Sequence, residues 1–503
     1  MNANLYTLFE RTFAAAPEEA CLLVRNGPVV HRDELAALSA QIAHALVGAG
    51  CRRGDRVAVQ VDKHWQVVAL YLACLRAGLV YLPLNSGYQK AELAYFFGDA
   101  QPRVIVCGPD RLGMIAALAG DATVLTLDAN GGELGDRARG EPTVFETATC
   151  GPDELAAILY TSGTTGRSKG AMLTHRNLAS NAAVLVESWA FTRGDVLLHA
   201  LPVYHVHGLF VALHCALLSG ARMLWQPKFE PGAVVDALPH ATVMMGVPTF
   251  YTRLLAEPAF TRESCRNIRL FVSGSAPLLP ETFDAFRAHT GHTILERYGM
   301  TETGMNTSNP DDGERVAGTV GVPLRGVDVR IVDGQGAGCA PGVVGAVEVK
   351  GPNVFSGYWR MPERTRDEFT ADGYFRTGDL GCWAERCGYL RLVGRAKDMV
   401  ITGGLNVYPL EIEERIDAMP GVVESAVIGV PDADFGEAVA AVVVAQPGHT
   451  LSERGIIAAL KGEIATFKVP KRVHFCDELP RNAMGKVQKN LLRERYSPKP
   501  ANR

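Results

Sequence analysis

Nothing in the sequence favours a polyanionic partner: Lys and Arg number 50 against 54 Asp and Glu, so no basic excess is available to displace counterions from a phosphate backbone. Nucleic acid is excluded as a main partner. Charged residues make up 21% and hydrophobic ones 47%, which excludes the apolar-poor, charge-rich composition of a disordered scaffold. The 11 cysteines are odd in number and scattered from Cys21 to Cys476. No disulfide framework is written in them, and buried thiols in a reducing, cytoplasmic compartment are expected. Cys382 and Cys387 have four residues between them, but no second Cys or His pair lies nearby to complete a zinc site. The opening MNANLYTLFERTF carries Glu10 and Arg11 where a secretory signal needs its apolar core, so no targeting segment is expected. A run without Asp, Glu, Lys or Arg extends over 196–221, yet Pro202, His205, His207 and His214 interrupt it, and no membrane span is expected. No internal repeat is present.

What remains is a chain of 503 residues, long enough for two or three packed cores, with the Gly (52) and Pro (28) of a loop-rich enzyme. Leu35, Leu38, Ile42 and Leu46 recur at helical spacing within 34–49, and a strand-like run follows at 56–61. The alternation continues with helices at 66–77 and 177–187 and strands at 103–107, 123–127, 242–246, 268–273 and 293–296. This predicts an α/β protein of layered, largely parallel sheets, with ligands at the C-terminal ends of the strands. Short alternating runs broken by Gly and Pro begin at 321 and suggest a β-barrel-like subdomain. From 397 onward, helices near 409–418 and 452–465 and strands near 425–430 and 438–445 form a second, smaller α/β unit. The expected division is a large N-terminal domain over 1–396, with 321–396 as its β-rich part, a small mobile C-terminal domain over 397–496, and a polar tail over 497–503.

The most informative string is YTSGTTGRSKG at 160–170, directly after the strand-like 155–159. Thr161, Ser162, Thr164 and Thr165 supply hydroxyls, and Lys169 supplies a charge. Gly163, Gly166 and Gly170 let backbone N–H groups approach an anion. Phosphate is the natural guest. The Walker order fails, because Lys169 is followed by Gly170 rather than Ser or Thr. A helix start at 174–177 is expected to follow.

This string resembles the phosphate loop of the adenylate-forming superfamily, which includes acyl-CoA synthetases, carrier-protein adenylation domains and firefly-type luciferases, and the resemblance extends over nearly the whole chain. It implies that the loop from Thr161 to Lys169 holds the phosphates of ATP. ERYGMTET at 296–303 resembles the segment in which Tyr298 would pack on adenine, Thr301 meet the α-phosphate and Glu302, with Thr164, hold Mg²⁺. FRTGDL at 375–380 resembles the ribose motif, with Asp379 at a turn accepting from both ribose hydroxyls and Arg395 as a second contact. PRNAMGKVQK at 480–489 resembles the C-terminal motif whose lysine, here Lys486, bridges the carboxylate and the α-phosphate and offsets charge that develops there. Lys397 matches the hinge on which the small domain swivels, and Gly403 and Gly404 match the segment that meets the pantetheine arm of CoA.

The family sets acid specificity with 204–209, 244–251, 273–276 and the residue before the Tyr-Gly of ERYGMTET, which is Arg297. Burying an unpaired guanidinium costs several kcal/mol, whereas a second carboxylate on the substrate would form a charge-assisted fork with it. A dicarboxylate is expected. HVHGL, VSGSAPL and ERYGMTET together are similar to malonyl-CoA synthetases. The similarity implies malonate and methylmalonate as acids, with Arg297 on the distal carboxylate and His207 and Ser275 as helpers. Two alternatives stay open: Arg297 pairs with Glu296 or another acid and faces away from the pocket, or His205 and His207 share one face of a strand as metal ligands. The implied activity is an ATP-dependent malonate:CoA ligase in the cytoplasm, with Mg²⁺ as cofactor, ATP and CoA as co-substrates and no obligate protein partner. A ligase for oxalate, succinate or an aryl acid, or an adenylating enzyme that loads a carrier protein, is the alternative.

Overall fold

The computed structural model describes residues 2–161, 168–402, 405–432, 435–461, 463–482 and 485–497. Two sheets dominate the N-terminal part. The first has nine strands in the order Val322–Pro323, Gly304–Ser308, Ile294–Met300, Leu270–Ser273, Val243–Gly246, Val196–His199, Arg222–Trp225, Ala20–Val24 and Val29–His31. Its central pairs are parallel, and antiparallel strands close both edges. The second has six, in the order Thr123–Thr126, Val104–Cys107, Arg56–Gln60, Val80–Pro83, Leu155–Thr161 and Lys169–Thr174. Central strands such as Val104–Cys107 and Val243–Gly246 are buried along their whole length, as parallel strands covered on both faces must be. The largest core joins strands of both sheets to the helices Arg32–Gly48, Gln66–Arg76, His175–Ser188 and Leu213–Ser219. Gln66–Arg76 is apolar on nearly every side because all but its first residue is buried.

Two segments differ from the sequence expectation. The strand at 155–159 runs on to Thr161 and returns as the antiparallel strand Lys169–Thr174, with Thr161 opposite Lys169. After that return the helix His175–Ser188 starts where the sequence reading puts it, capped reciprocally by Thr174 and Asn177. The strand expected at 293–296 continues to Met300, so Glu296, Arg297 and Tyr298 alternate across a sheet. Its register shifts at Gly299, where a Cβ would meet the Gly304 carbonyl oxygen at 2.0 Å. Residues 196–221 fold as the strand Val196–His199, a π-helical turn His207–Ala212 and the helix Leu213–Ser219. Among the described residues no helix is long and apolar enough to cross a membrane. All 11 cysteines are free thiols, and Cys339, Cys382, Cys387 and Cys476 are half-buried rather than buried.

The β-rich segment after 321 places Asp328–Val332, Gly345–Lys350, Phe375–Trp383 and Leu390–Arg395 side by side as an antiparallel four-stranded sheet. The small C-terminal domain is built on a five-stranded sheet. Alternation along Val422–Asp432 and Gly436–Ala445 gives it two apolar faces. Val427, Val439, Ala441 and Val443 pack with the helices Pro409–Asp417 and Glu453–Lys461, while Ala426, Ile428, Ala440 and Val442 pack with Leu492 of Lys489–Tyr496. The chain is thus a mixed α/β protein with a large N-terminal and a small C-terminal domain. Arg391 and Glu414 join them across 3.1 Å.

Candidate active site

The strand Ile294–Met300 meets the strand Phe375–Trp383 through Tyr298 and Asp379. Asp379 lies within Phe375–Trp383, not at a turn, directly opposite Arg395. Arg395 Nε is 2.8 Å from Asp379 Oδ1, and Arg395 Nη1 donates to the Thr377 carbonyl at 3.1 Å. Tyr298, two residues on from Glu296, donates its phenolic hydrogen to Asp379 Oδ2. A carboxylate can accept about four hydrogen bonds, so Asp379 keeps capacity for hydroxyls of a ligand.

Thr301 and Glu302 lie in the tight connection that follows Met300. Glu302 is buried, and its Oε1 accepts from the Tyr358 hydroxyl at 3.0 Å and from Thr161 Oγ1 at 3.5 Å. Burial pushes the Glu302 carboxyl above its usual range, while backbone and Tyr358 hydrogen bonds and the cations Arg395 and Lys169 oppose the rise. Lys169 Nζ is 3.4 Å from Glu368 Oε1 and lies 4.1 Å from the centre of the Tyr358 ring. Buried carboxylate and hydroxyl oxygens form the kind of donor set that Mg²⁺ takes together with substrate phosphates. Ser162, Gly163, Thr164, Thr165 and Gly166, and likewise Gly403 and Gly404, lie outside the described residues; Thr161 and Lys169 frame the first group.

From the C-terminal domain, the loop after Pro480 reaches down to the large domain: a Cβ on Gly485 would lie 3.8 Å from Thr249 Oγ1. Lys486 donates its backbone N–H to Asn482 Oδ1 at 3.0 Å. Its side chain still reaches solvent, yet the surrounding protein pushes the ammonium down to about 8, with Arg395 and Lys397 adding to the shift and Asp379 and Asp398 opposing it. Lys397 stands on the 3₁₀ turn Ala396–Asp398 between the two domains. Asp398 ties that turn to the last helix through Arg493 at 2.8 Å.

The other end of the site has a different character. Arg297 is 3% exposed, and its Nε and Nη2 have no hydrogen-bond partner. No carboxylate among the described residues pairs with it. Glu296 points the other way and accepts the Leu278 N–H at 3.1 Å, so the pairing left open by the sequence is not formed. Burial pushes Glu296 up to about 8 and Arg297 down to about 10. The guanidinium lies on the backbone of Gly274, where a Cβ would come within 2.4 Å of its Cζ. The next residue, Ser275, has a φ of 74°, and its Oγ is 3.3 Å from His207 Nδ1. His207 is buried with its Nε2 unpartnered. Burial, then Arg297, holds both His205 and His207 below the usual imidazole range, His205 at about 4. Neither histidine is on a strand: His205 precedes the π-helical turn that His207 begins. Among the described residues no group of three or more His, Cys, Asp or Glu is arranged to hold a metal ion.

Arg297, His207 and Ser275 therefore converge, as do Tyr298, Asp379, Arg395, Glu302 and Lys169. The sequence reading missed Tyr358 and Glu368. Tyr358 follows Gly357 at the end of a Gly- and Pro-punctuated stretch, a cue to close packing, but no signal marks Glu368.

The sequence profile described as AMP-binding enzyme matches residues 9–359, and the AMP-binding enzyme C-terminal domain matches 411–486. The chain belongs to the AMP-binding enzyme family. One relative of this AMP-binding enzyme is a mitochondrial malonate–CoA ligase of Mus musculus, 39% identical over 499 residues, spanning 89% of this chain and 83% of the relative. A feruloyl-CoA synthase of Amycolatopsis sp is 36% identical over 476 residues, spanning 94% of this chain and 95% of the relative. The crystal structure of ATP-bound MatB from Rhodopseudomonas palustris is 56% identical and superposes on this AMP-binding enzyme with a TM-score of 0.96 over 99% of both chains.

Proposed function

We propose that this AMP-binding enzyme is a malonate:CoA ligase, which joins malonate, and also methylmalonate, to CoA through an acyl-adenylate. One observation carries the choice of acid: Arg297 is a buried guanidinium without an anionic partner. An apolar acyl chain would leave that charge stranded, whereas the second carboxylate of a short dicarboxylate completes it. His207 and Ser275 stand beside it as further polar contacts. The 39% identity to a malonate–CoA ligase supports the same reading.

In the first half-reaction a malonate oxygen attacks the α-phosphorus of ATP and the bond to pyrophosphate breaks. In the second, the CoA thiol attacks the acyl carbonyl, AMP leaves and the thiol proton passes to solvent. The protein mostly positions the reactants and offsets charge. The loop from Thr161 to Lys169, including Ser162, Gly163, Thr164, Thr165 and Gly166, holds the phosphates. Tyr298 lies against adenine, and Asp379 and Arg395 hold the ribose. Thr301 and Lys486 approach the α-phosphate. Glu302, together with Thr164, would hold Mg²⁺, which when bound screens the charge of the leaving pyrophosphate. We place the domain boundary at 396/397, with Lys397 as the hinge and Gly404 beside the path of pantetheine. The enzyme acts in the cytoplasm without an obligate protein partner.

The test is pyrophosphate release with ATP, Mg²⁺ and CoA across acetate, octanoate, benzoate, ferulate, oxalate, malonate, methylmalonate and succinate. Selective turnover of malonate and methylmalonate is expected. Preference for ferulate or benzoate, a reading favoured by the 36% identity to a feruloyl-CoA synthase, would retain the ligase chemistry and overturn the acid.

A further inference from the structure

His207 begins a π-helical turn, His207–Ala212, and a one-residue widening of a helix needs a cause in its surroundings. Part of that cause is steric: a Cβ on Gly208 would stand 2.0 Å from the Pro202 carbonyl oxygen. The chain is therefore pressed against the loop that leads into it. The other part is a hydrogen bond: His199 Nε2 lies 2.9 Å from the Gly208 carbonyl oxygen. A carbonyl only accepts, so Nε2 carries the hydrogen, and in a neutral imidazole Nδ1 is then the acceptor. Nδ1 faces Lys63 Nζ at 2.9 Å, and Lys63 Nζ also donates to the carbonyl of His199 at 2.8 Å. The tautomer of His199 is fixed from both sides.

Lys63 is an unusual residue to find there. It follows the strand Arg56–Gln60 of the six-stranded sheet, yet it reaches across to His199 at the end of a strand of the nine-stranded sheet. Its ammonium lies 4.2 Å from the centre of the Trp225 ring, and the His199 ring lies tilted at 33° against the same indole, 4.7 Å centre to centre. No carboxylate among the described residues pairs with Lys63, and burial drives its pKa well below the ordinary lysine value. An apolar side chain would fill the same space without that penalty. What an apolar residue lacks is the pair of hydrogen bonds that orients His199.

We infer that Lys63 is a positioning residue for recognition of the acid: through His199 it fixes the Gly208 carbonyl, and with it the start of the turn that presents His207 beside Arg297. The inference rests on the malonate reading above and extends it to the other sheet of the N-terminal domain. Lys63 touches no substrate in this scheme. Its effect falls on the distal carboxylate and leaves the nucleotide untouched.

The experiment compares wild type with Lys63→Met and Lys63→Arg. For Lys63→Met, KM for malonate should rise roughly tenfold, with kcat and KM for ATP within about twofold of wild type. Lys63→Arg, which keeps a cation and donors, should fall between the two. Histidine-selective ¹⁵N spectra, with the His199 signal assigned by its loss in His199→Gln, should show a neutral Nε2–H tautomer in wild type and a mixture of tautomers in Lys63→Met. Unchanged malonate KM and tautomer in Lys63→Met, in a wild-type enzyme that selects malonate, overturn the inference and leave the malonate reading standing. A parallel rise of both KM values with a lowered melting temperature overturns it too, because that is the signature of a merely structural lysine. If Lys63→Met fails to fold, Lys63→Arg decides by the same two readouts. If the wild-type enzyme ignores malonate, the substrate reading fails first and this inference falls with it.

Discussion

The two ends of the active site treat charge in opposite ways. At the proposed nucleotide end several charged groups are paired within the chain: Lys169 has Glu368, Asp379 has Arg395 and Tyr298, and Glu302 has Tyr358. At the acid end, Arg297 is buried with two of its nitrogens unpartnered, and His207 has an unpartnered ring nitrogen. ATP brings several charges, so its site can hold its own groups in place with internal pairs that the ligand rearranges. A small acid brings little more than its carboxylates, and a site for it has to keep a cation waiting. Here the pairs report how the protein holds its own parts, and the unpartnered Arg297 reports the sign of what comes in.

The contrast predicts a hierarchy of effects. Removing the waiting cation in Arg297→Ala should lower kcat/KM for malonate by about two to three orders of magnitude, the range of a lost partner in a buried charge pair, without changing KM for ATP. Steady-state kinetics on both substrates checks this, and a matching rise in KM for ATP would erase the distinction between the two ends. Lys486→Ala should slow malonyl-AMP formation by about two orders of magnitude, as expected when one preorganised charge stabiliser is removed. The same variant should still make the thioester from supplied malonyl-AMP, and equal loss of both half-reactions would remove Lys486 from the first step. The pH profile is a third check. The useful form of Lys486 is the ammonium, which is full below its pKa and lost above it, so kcat/KM for pyrophosphate release should fall as pH rises through about 8. Lys486→Arg should lose that alkaline limb whatever activity it keeps. The smallest effect belongs to a residue already paired. Glu368→Gln frees Lys169 from a partly exposed carboxylate and should lower KM for ATP by no more than about fivefold, since such pairs are worth about 1 kcal/mol or less. Malonate kinetics should not respond.

Much of this arrangement is legible in the sequence because its cues are local. The apolar spacing of Leu35, Leu38, Ile42 and Leu46 marks the helix Arg32–Gly48. Arg297 is legible because a charge within an acyl-pocket segment is chemically out of place. The strand Lys169–Thr174 is not legible, because a short apolar run after a Gly-rich loop suits a helix start as well as a strand. Asp379 reads as a turn residue because Gly378 precedes it, whereas pairing with Leu390–Arg395 holds it within a strand. His205 and His207 alternate like strand residues, but the close approach of Gly208 to Pro202 winds that segment into a wide helical turn instead. The partners that orient the site lie far off in sequence: Tyr298 and Asp379 are 81 residues apart, and Lys63 and His199 are 136 apart. Side-chain spacing along one chain carries no record of such meetings.

Ser275 shows what the acid end demands of the backbone. Its φ of 74° is one that an L-residue with a side chain adopts reluctantly. Its neighbour Gly274 has no room for a Cβ above Arg297, so the loop cannot relax by moving toward the guanidinium. Ser275→Gly should therefore melt at a higher temperature and handle malonate less well, since it relieves the backbone and removes the hydroxyl beside His207. This loop is a place where selection for durability and selection for discrimination pull in opposite directions, and a heat-adapted descendant of this protein would be expected to give way there first.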